Sequence, residues 1–280
     1  MNEDKKIMVT VENLYKKFSK DLKSGMYYGL TDVLQVLFRY SKDNLKIRKH
    51  EFWAIKNLSL TLQEGEILGV VGANGSGKTT LMRLISGIYP PDSGTIQLNN
   101  VRKLTPLFAL SSGLQPLFTG RENIYIKGAM LGMSKKQIEE KMDFIIDFFE
   151  YKDFLDTPVG NYSSGMKARL AYSIAIATEP DLFIIDEALA VGDSLFKAKC
   201  YDHLKTYVKR PNKAVIFVSN NIKKVMEVAT RVLVIEQGVP IYNSNNIYEA
   251  LTFYIDNCLG KNVDEKSREI MRSKIRTYEM

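Results

Sequence analysis

The chain predicts a mostly parallel α/β fold, and three observations carry that prediction. Strand-length apolar runs alternate with helical periods through the second half. One run, Glu66-Ile-Leu-Gly-Val-Val71, feeds a glycine-rich loop, and a helical pattern over Thr79 to Ile88 follows it. The loop, Gly72-Ala73-Asn74-Gly75-Ser76-Gly77-Lys78-Thr79, fills every constrained position of Gly, four free residues, Gly, Lys and Ser/Thr. Its glycines let the backbone wrap closely, so successive N–H groups can face phosphates. Lys78 supplies a point charge for the outer phosphates, the Thr79 hydroxyl a ligand for Mg²⁺, and Thr80 continues the helix start. The loop implies a bound nucleotide.

Bulk composition narrows the class. The chain has 280 residues and 45% hydrophobic content, enough for a sizeable core and unlike a disordered chain. Its net charge of +7 suits an anionic partner, either nucleic acid or a phospholipid surface. Cys200 and Cys258 lie far apart without metal-ligand spacing and read as free thiols. Met1-Asn-Glu-Asp-Lys-Lys6 has no apolar signal core, and no run reaches the ~18 apolar residues of a membrane span. The expectation is a cytosolic chain brought to a membrane by a partner.

Along the chain, Ile7 to Leu14 alternates weakly as a first strand. Lys16 to Glu51 then interrupts the β pattern, with nine Lys/Arg against four Asp/Glu. Within it, Leu30, Val33, Leu34, Leu37 and Phe38 recur as one helix face, with Thr31 or Asp32 near the start. Trp53 to Leu60 resumes the strands, and Pro90 to Gly94 reads as a turn before short strands to Leu110. Arg121 to Tyr151 is helical, including Ser134 to Phe149 with a serine cap. After the strand Leu182–Ile185, Asp193 to Val208 reads as helix and Ala214 to Val218 as strand. Asn221 to Ala229 is again helical, Arg231 to Ile235 a strand, and Glu236-Gln-Gly238 a hairpin turn. Ile247 to Asp256 and Val263 to Met280 close the chain as helices.

Two further features belong to the phosphate chemistry. Asp186-Glu187 follows an apolar strand, where an Asp can support Mg²⁺ and a Glu can polarise an attacking water. Ser163-Ser164-Gly165 precedes a helical run from Lys167, so a hydroxyl and backbone N–H groups are ready for an anion.

The order of phosphate loop, helical insert, Ser163-Ser164-Gly165 turn, Asp186-Glu187 strand and Ala190-Val-Gly-Asp193 resembles the ATPase subunit of ATP-binding-cassette (ABC) transporters. The resemblance runs from about Ile7 to Tyr242. Thr119-Gly-Arg-Glu-Asn123, Tyr162-Ser-Ser-Gly-Met166 and Asp186 to Cys200 are similar to exporters of lipid-linked polysaccharides, covering O-antigen, capsule and wall teichoic acid. The basic segment before Trp53 is similar to that subfamily's membrane-side gate helix. The implied fold is a P-loop ABC-ATPase core with a mostly parallel sheet, an antiparallel β subdomain and a helical subdomain. The implied domains are an ATPase domain over 1–245, containing the basic insertion 16–51 and the helical subdomain 111–178, and a short helical tail over 246–280.

The resemblance implies two copies sandwiching two ATP molecules head to tail. Gly72, Asn74, Gly75, Ser76, Gly77, Lys78, Thr79 and Thr80 of one copy would hold each nucleotide. Ser163, Ser164 and Gly165 of the other would complete the γ-phosphate shell, and Asp193 would lie at the dimer interface. Thr79 and Asp186 would serve Mg²⁺, and Glu187 the attacking water. Phe52 or Trp53 would stack on adenine, although both residue types also serve as core. The pair would drive a separate integral membrane permease from the cytoplasmic face, as a peripheral subunit, with anionic inner-leaflet lipid beside the basic segment.

Two positions depart from the pattern. Asn220 stands where the family has a His that contacts the γ-phosphate; an amide donates one hydrogen bond but carries no proton or charge. Hydrolysis is therefore expected to be slower. Alignment on Pro116 puts Ala109-Leu110 where a Gln faces Mg²⁺, and Gln115 is displaced. The alternatives are a soluble DNA-associated ATPase, which would split the cassette with long coiled coils absent from this sequence, and an ATP-gated clamp that barely hydrolyses. Without an Asn-Lys-x-Asp motif, ATP is favoured over GTP.

Overall fold

A computed structural model describes residues 5–37, 46–107, 113–186, 193–259 and 265–279. They divide into two compact units, Met1–Asn100 with Val218–Met280, and Val101–Phe217.

The first unit opens with long β1 (Ile7–Ser19), which pairs antiparallel with β2 (Glu51–Gln63) and β4 (Ser93–Leu98) in the order β2-β1-β4. β1 runs five residues beyond the expected Leu14. The extension survives because Lys17, which falls on the buried side, donates to Glu51 Oε2 at 3.0 Å and to the Lys46 carbonyl at 2.9 Å. β3 (Ile67–Val71) has every residue buried and pairs parallel with β8 (Arg231–Glu236), which turns at Gly238 into antiparallel β9 (Val239–Ser244). α2 (Lys78–Ile85), α7 (Ile222–Val228), α8 (Ile247–Asn257) and α9 (Glu265–Glu279) complete this unit's regular elements after α1.

α1 (Leu22–Leu37) corrects the expected start at Thr31 or Asp32. Asp21 Oδ1 accepts from Ser24 N at 2.7 Å and satisfies the first turn nine residues earlier. Thr31 donates to the Tyr28 carbonyl, and Asp32 pairs with Arg48. Arg48 also lies over the Tyr28 ring, 4.7 Å from its centroid. At 100° per residue, Leu22, Met26, Leu30 and Val33 share the opposite face, and all four are exposed. Phe38 lies outside the described residues.

The second unit holds a parallel sheet ordered β5 (Leu104–Leu107), β6 (Leu182–Ile185) and β7 (Ala214–Val218). β6 and β7 are wholly buried, as their unbroken apolar runs require. α3 (Gly120–Met130), α4 (Lys135–Phe149) and α5 (Ser164–Ala177) pack a core of Ile124, Ile138, Ile145, Phe149, Leu170 and Ile174. Thr119 and Ser134 each form a capping box, which sets where α3 and α4 begin. α6 (Ser194–Tyr207) is capped by Asp193. Both cysteines are free and buried; burial pushes the Cys200 thiol up to about 12 and Cys258 to about 11, so both are neutral thiols. Among the described residues, no helix is long and apolar enough to cross a membrane.

Candidate nucleotide-binding site

Buried β3 delivers the glycine loop in the first unit, and each glycine there answers a separate constraint. A Cβ on Gly72 would lie 2.3 Å from the Ile235 carbonyl oxygen and 2.4 Å from Ser76 Oγ. Gly75 has φ +80 in open space, so only its conformation demands glycine. Gly77 combines φ +105 with a Cβ position 2.4 Å from the Ala54 carbonyl oxygen. Gly77 precedes α2 without a side-chain cap, so the helix presents its first N–H groups to whatever the loop holds.

The loop's side chains are arranged for an anion. Lys78 is buried, and its Nζ donates to the carbonyls of Gly72 at 2.7 Å and Ala73 at 2.9 Å. Ser76 Oγ is buried and has no hydrogen-bond partner, a position that an incoming phosphate oxygen would satisfy. Thr79 is exposed and Thr80 half-buried in the first turn of α2. Asn220 reaches the same loop: its Nδ2 donates to Asn74 Oδ1 at 2.6 Å. Ser219 sets that reach, being buried with its N–H on the Val70 carbonyl, while Asn221 caps α7.

Sequence reasoning missed the support behind the loop. Gly238 N donates to the Ser76 carbonyl at 2.8 Å, and Lys56 N donates to the Gly238 carbonyl at 2.8 Å. The hairpin turn and β2 therefore brace the loop from behind. The available signal was the Gln237-Gly238 pair, both with positive φ.

The two candidate aromatic residues separate. Trp53 stands edge-on to Tyr15 at 5.4 Å, whereas Phe52 is exposed and lies across from Phe18 in the β1–β2 register. Phe18 also packs against Tyr89 at 5.5 Å, and was not among the residues singled out by sequence. Gln115 is held through its backbone by the buried Asn123 amide, at 2.6 and 3.0 Å. Ala109 and Leu110 lie outside the described residues.

In the second unit, Ser163 caps α5 by accepting from Met166 N at 3.2 Å, and Ser164 and Gly165 open its first turn. Asp186 leaves β6; Glu187 lies outside the described residues. Asp193 Oδ1 accepts from Phe196 N at 2.9 Å, and the same carboxylate pairs with Arg169. The Phe196 amide first, and then the Arg169 charge, hold the Asp193 carboxyl below the ordinary aspartate range.

A buried parallel strand, a braced glycine loop, an inward lysine and an open helix start define a P-loop nucleotide-binding protein. Residues 55–190 match the ABC transporter domain family. The teichoic acids export ATP-binding protein TagH of Staphylococcus haemolyticus is 40% identical over 208 residues, covering 72% of this chain and 77% of that protein. The chain belongs to the ABC transporter family of ATP-binding proteins. The ABC transporter protein AbcA of Aeromonas salmonicida is 44% identical over 187 residues, 67% of this chain and 60% of AbcA. TagH of Shouchella clausii is 41% identical over 216 residues, 77% of this chain and 58% of that protein. The chain thus spans about three-fifths of the length of these two relatives. Solved cassettes share the fold. An ATP-binding cassette captured as a dimer in a post-hydrolysis state with ADP and Pi has TM-score 0.65 at 21% identity, covering 85% of this chain and 98% of its own. The cbiO1 protein of Clostridium perfringens, part of the ABC transporter complex cbiONQ, has TM-score 0.64 at 19% identity, covering 99% of this chain and 100% of its own.

Proposed function

We propose that this chain binds and hydrolyses ATP to power export of a lipid-linked polysaccharide or teichoic acid through a separate membrane permease, working as a head-to-tail pair at the cytoplasmic face. The observation that carries the nucleotide half is the braced loop, with Lys78 drawn inward and the buried Ser76 hydroxyl unpartnered. The substrate half is supported by relatives whose names specify teichoic acids export.

In this reading Lys78, Ser76 and the loop amides bind the phosphates and neutralise their charge. Thr79 and Asp186 are the oxygen donors suited to Mg²⁺, a hard cation that supplies charge stabilisation when bound. Glu187 accepts a proton from the attacking water, and Asn220 orients through its amide. Ser163, Ser164 and Gly165 of a second copy close over the γ-phosphate, with Asp193 at the interface, and Phe52 lies open for adenine stacking. The exposed apolar stripe on α1, within a segment rich in lysine and arginine, suits the inner leaflet. Nucleic acid is not expected as a partner.

A second reading, a clamp that hydrolyses very slowly, is favoured by one observation: Asn220 is engaged with Asn74. Turnover of the purified chain with ATP and Mg²⁺ separates the two. In the exporter reading, Glu187→Gln retains nucleotide binding and loses turnover, and the chain co-purifies with a membrane protein. Wild-type turnover no faster than that of Glu187→Gln removes hydrolysis from the proposal, and co-purification with DNA removes transport.

A further inference from the structure

Arg169 lies in α5, six residues beyond the Ser163 cap, and is almost fully buried at 5% exposure. Its Nη1 donates to Glu150 Oε2 at 2.5 Å, and its Nη2 donates to Asp193 Oδ2. The guanidinium carbon lies 5.1 Å from the Tyr151 ring centroid and 4.5 Å from that of Phe196. Glu150 ends α4 in the left-handed region at φ 71, and its other oxygen takes Lys199 Nζ of α6 at 2.6 Å. Asp193, in turn, spends its other oxygen on the first turn of α6. One buried cation thus ties the end of α4, the helix that begins at Ser163, and the start of α6.

The residue type fits this task. A guanidinium is a planar fork, able to meet two carboxylates while its faces pack on rings. An ammonium can serve the carboxylates only as a point charge. Removing the cation would leave Asp193 without its Arg169 partner and Glu150 with Lys199 alone, so the bond that links the three ends would be lost.

We propose that Arg169 is a positioning residue that couples the Ser163–Gly165 turn to Asp193, the far end of the chain that leaves Asp186. The proposal rests on the reading above, in which the serine turn and Asp193 act on ATP held by a paired copy. The two ends of this tie then move as one body, so closing of the serine turn carries Asp193 with it within the same chain.

The test uses the full chain with Arg169→Gln, Arg169→Lys and Asp193→Asn, read by ATP turnover, binding of a fluorescent ATP analogue, melting temperature and amide hydrogen exchange. Arg169→Gln is expected to lower kcat by about tenfold or more with KM changed by less than about threefold, the split that marks loss of positioning rather than of nucleotide binding. Exchange at the amides of Met166 and Phe196 should rise together by about tenfold or more, since both caps loosen when the tie is cut. Arg169→Lys, which keeps the charge but not the fork, should recover part of both. Asp193→Asn, whose amide oxygen still caps α6, should reproduce the kcat loss of Arg169→Gln.

Wild-type kcat and wild-type exchange in Arg169→Gln would overturn the proposal. So would equal damage in Arg169→Lys and Arg169→Gln, or a rise in exchange at Met166 without one at Phe196. If Arg169→Gln does not fold, Asp193→Asn decides, and wild-type exchange and kcat there overturn the tie. Absence of turnover in the wild-type chain overturns the hydrolysis reading instead, and the exchange of Met166 and Phe196 still judges the tie.

Discussion

Asn220 donates its amide to the Asn74 side chain across 2.6 Å, which joins the turn after β7 directly to the phosphate loop. Both groups are neutral, so the bond holds position without supplying charge or a transferable proton. A histidine at 220 would add a group that titrates near neutrality. Asn220→His is therefore expected to raise ATP turnover by up to about 10²-fold, the lower end of what a positioned proton-transfer group contributes. It should also introduce a pH dependence around ~6.5, the ordinary histidine value. An unchanged or slower rate in a steady-state assay across pH 6–8 would sink this account of Asn220.

Gly238 makes the bracing of the phosphate loop testable away from the nucleotide. Its φ is +80, and a Cβ there would sit 2.6 Å from the Ala54 carbonyl oxygen. Gly87 has a similar φ of +72 but nothing within 4 Å. Both alanine substitutions incur the left-handed penalty of about 1–2 kcal/mol, and only Gly238→Ala also forces backbone apart. Gly238→Ala should lose about 3 kcal/mol or more in urea denaturation and weaken nucleotide binding, because Gly238 N holds the Ser76 carbonyl. Gly87→Ala should stay near 1–2 kcal/mol, with binding intact. Equal losses in the two variants would mean that conformation alone, not the Ala54 contact, governs the turn.

Much of this was legible because local signals and burial agree. The apolar runs at Leu182–Ile185 and Ala214–Val218 coincide with β6 and β7, since strands covered on both faces need no polar alternation. Ser134, Ser163 and Asp193 mark helix starts by a mechanism confined to three residues. What escaped depends on distant partners. Lys17 reads as a strand breaker until Glu51 is beside it. The early start of α1 hangs on Asp21 in an otherwise helix-neutral stretch. Arg169 reads as an ordinary helical arginine, because Glu150 and Asp193 are 19 and 24 residues away. The loop itself was plain, but its brace at Gly238 comes from the other end of the chain.

His203 supplies a pH signature for the second unit. Burial lowers it to about 4, with the charge of Arg210 adding to the effect. Its ring is surrounded by Phe148, Tyr172 and Tyr207, and its Nδ1 has no hydrogen-bond partner. Between pH ~4 and the ordinary ~6.5, the unfolded chain binds a proton that the folded chain does not, so acid favours unfolding there. The loss reaches about 3 kcal/mol at the low end of that window. Asp193 and Glu150 act differently: their lowered values give stability that is present above the ordinary carboxylate range and disappears only below it. His203→Phe should therefore melt close to wild type at pH 7.5 and clearly higher at pH 5. Parallel melting curves for the two proteins from pH 7.5 to 5 would show that His203 is not the acid-sensitive group.

The stripe on α1 poses a choice between apolar and electrostatic attachment to a bilayer, and magnitudes decide it. Leu22, Met26, Leu30 and Val33 are 58–79% exposed. Burying such side chains contributes about 1.5–3 kcal/mol each, whereas a lysine near an anionic surface contributes about 1 kcal/mol. Arg48 does not belong in that electrostatic count, because Asp32 and Tyr28 hold it on the other side of α1. Met26→Ser with Leu30→Ser should therefore reduce binding to vesicles of mixed neutral and anionic phospholipid by about 10²-fold or more, while Lys46→Gln with Lys49→Gln reduces it by about tenfold. The serine pair should leave thermal stability unchanged, since the native fold does not bury those side chains. Arg48→Gln should instead lower the melting temperature by loosening α1 from the chain before Glu51. Vesicle binding that follows the lysine pair and ignores the serine pair would overturn the assignment of the stripe to the membrane.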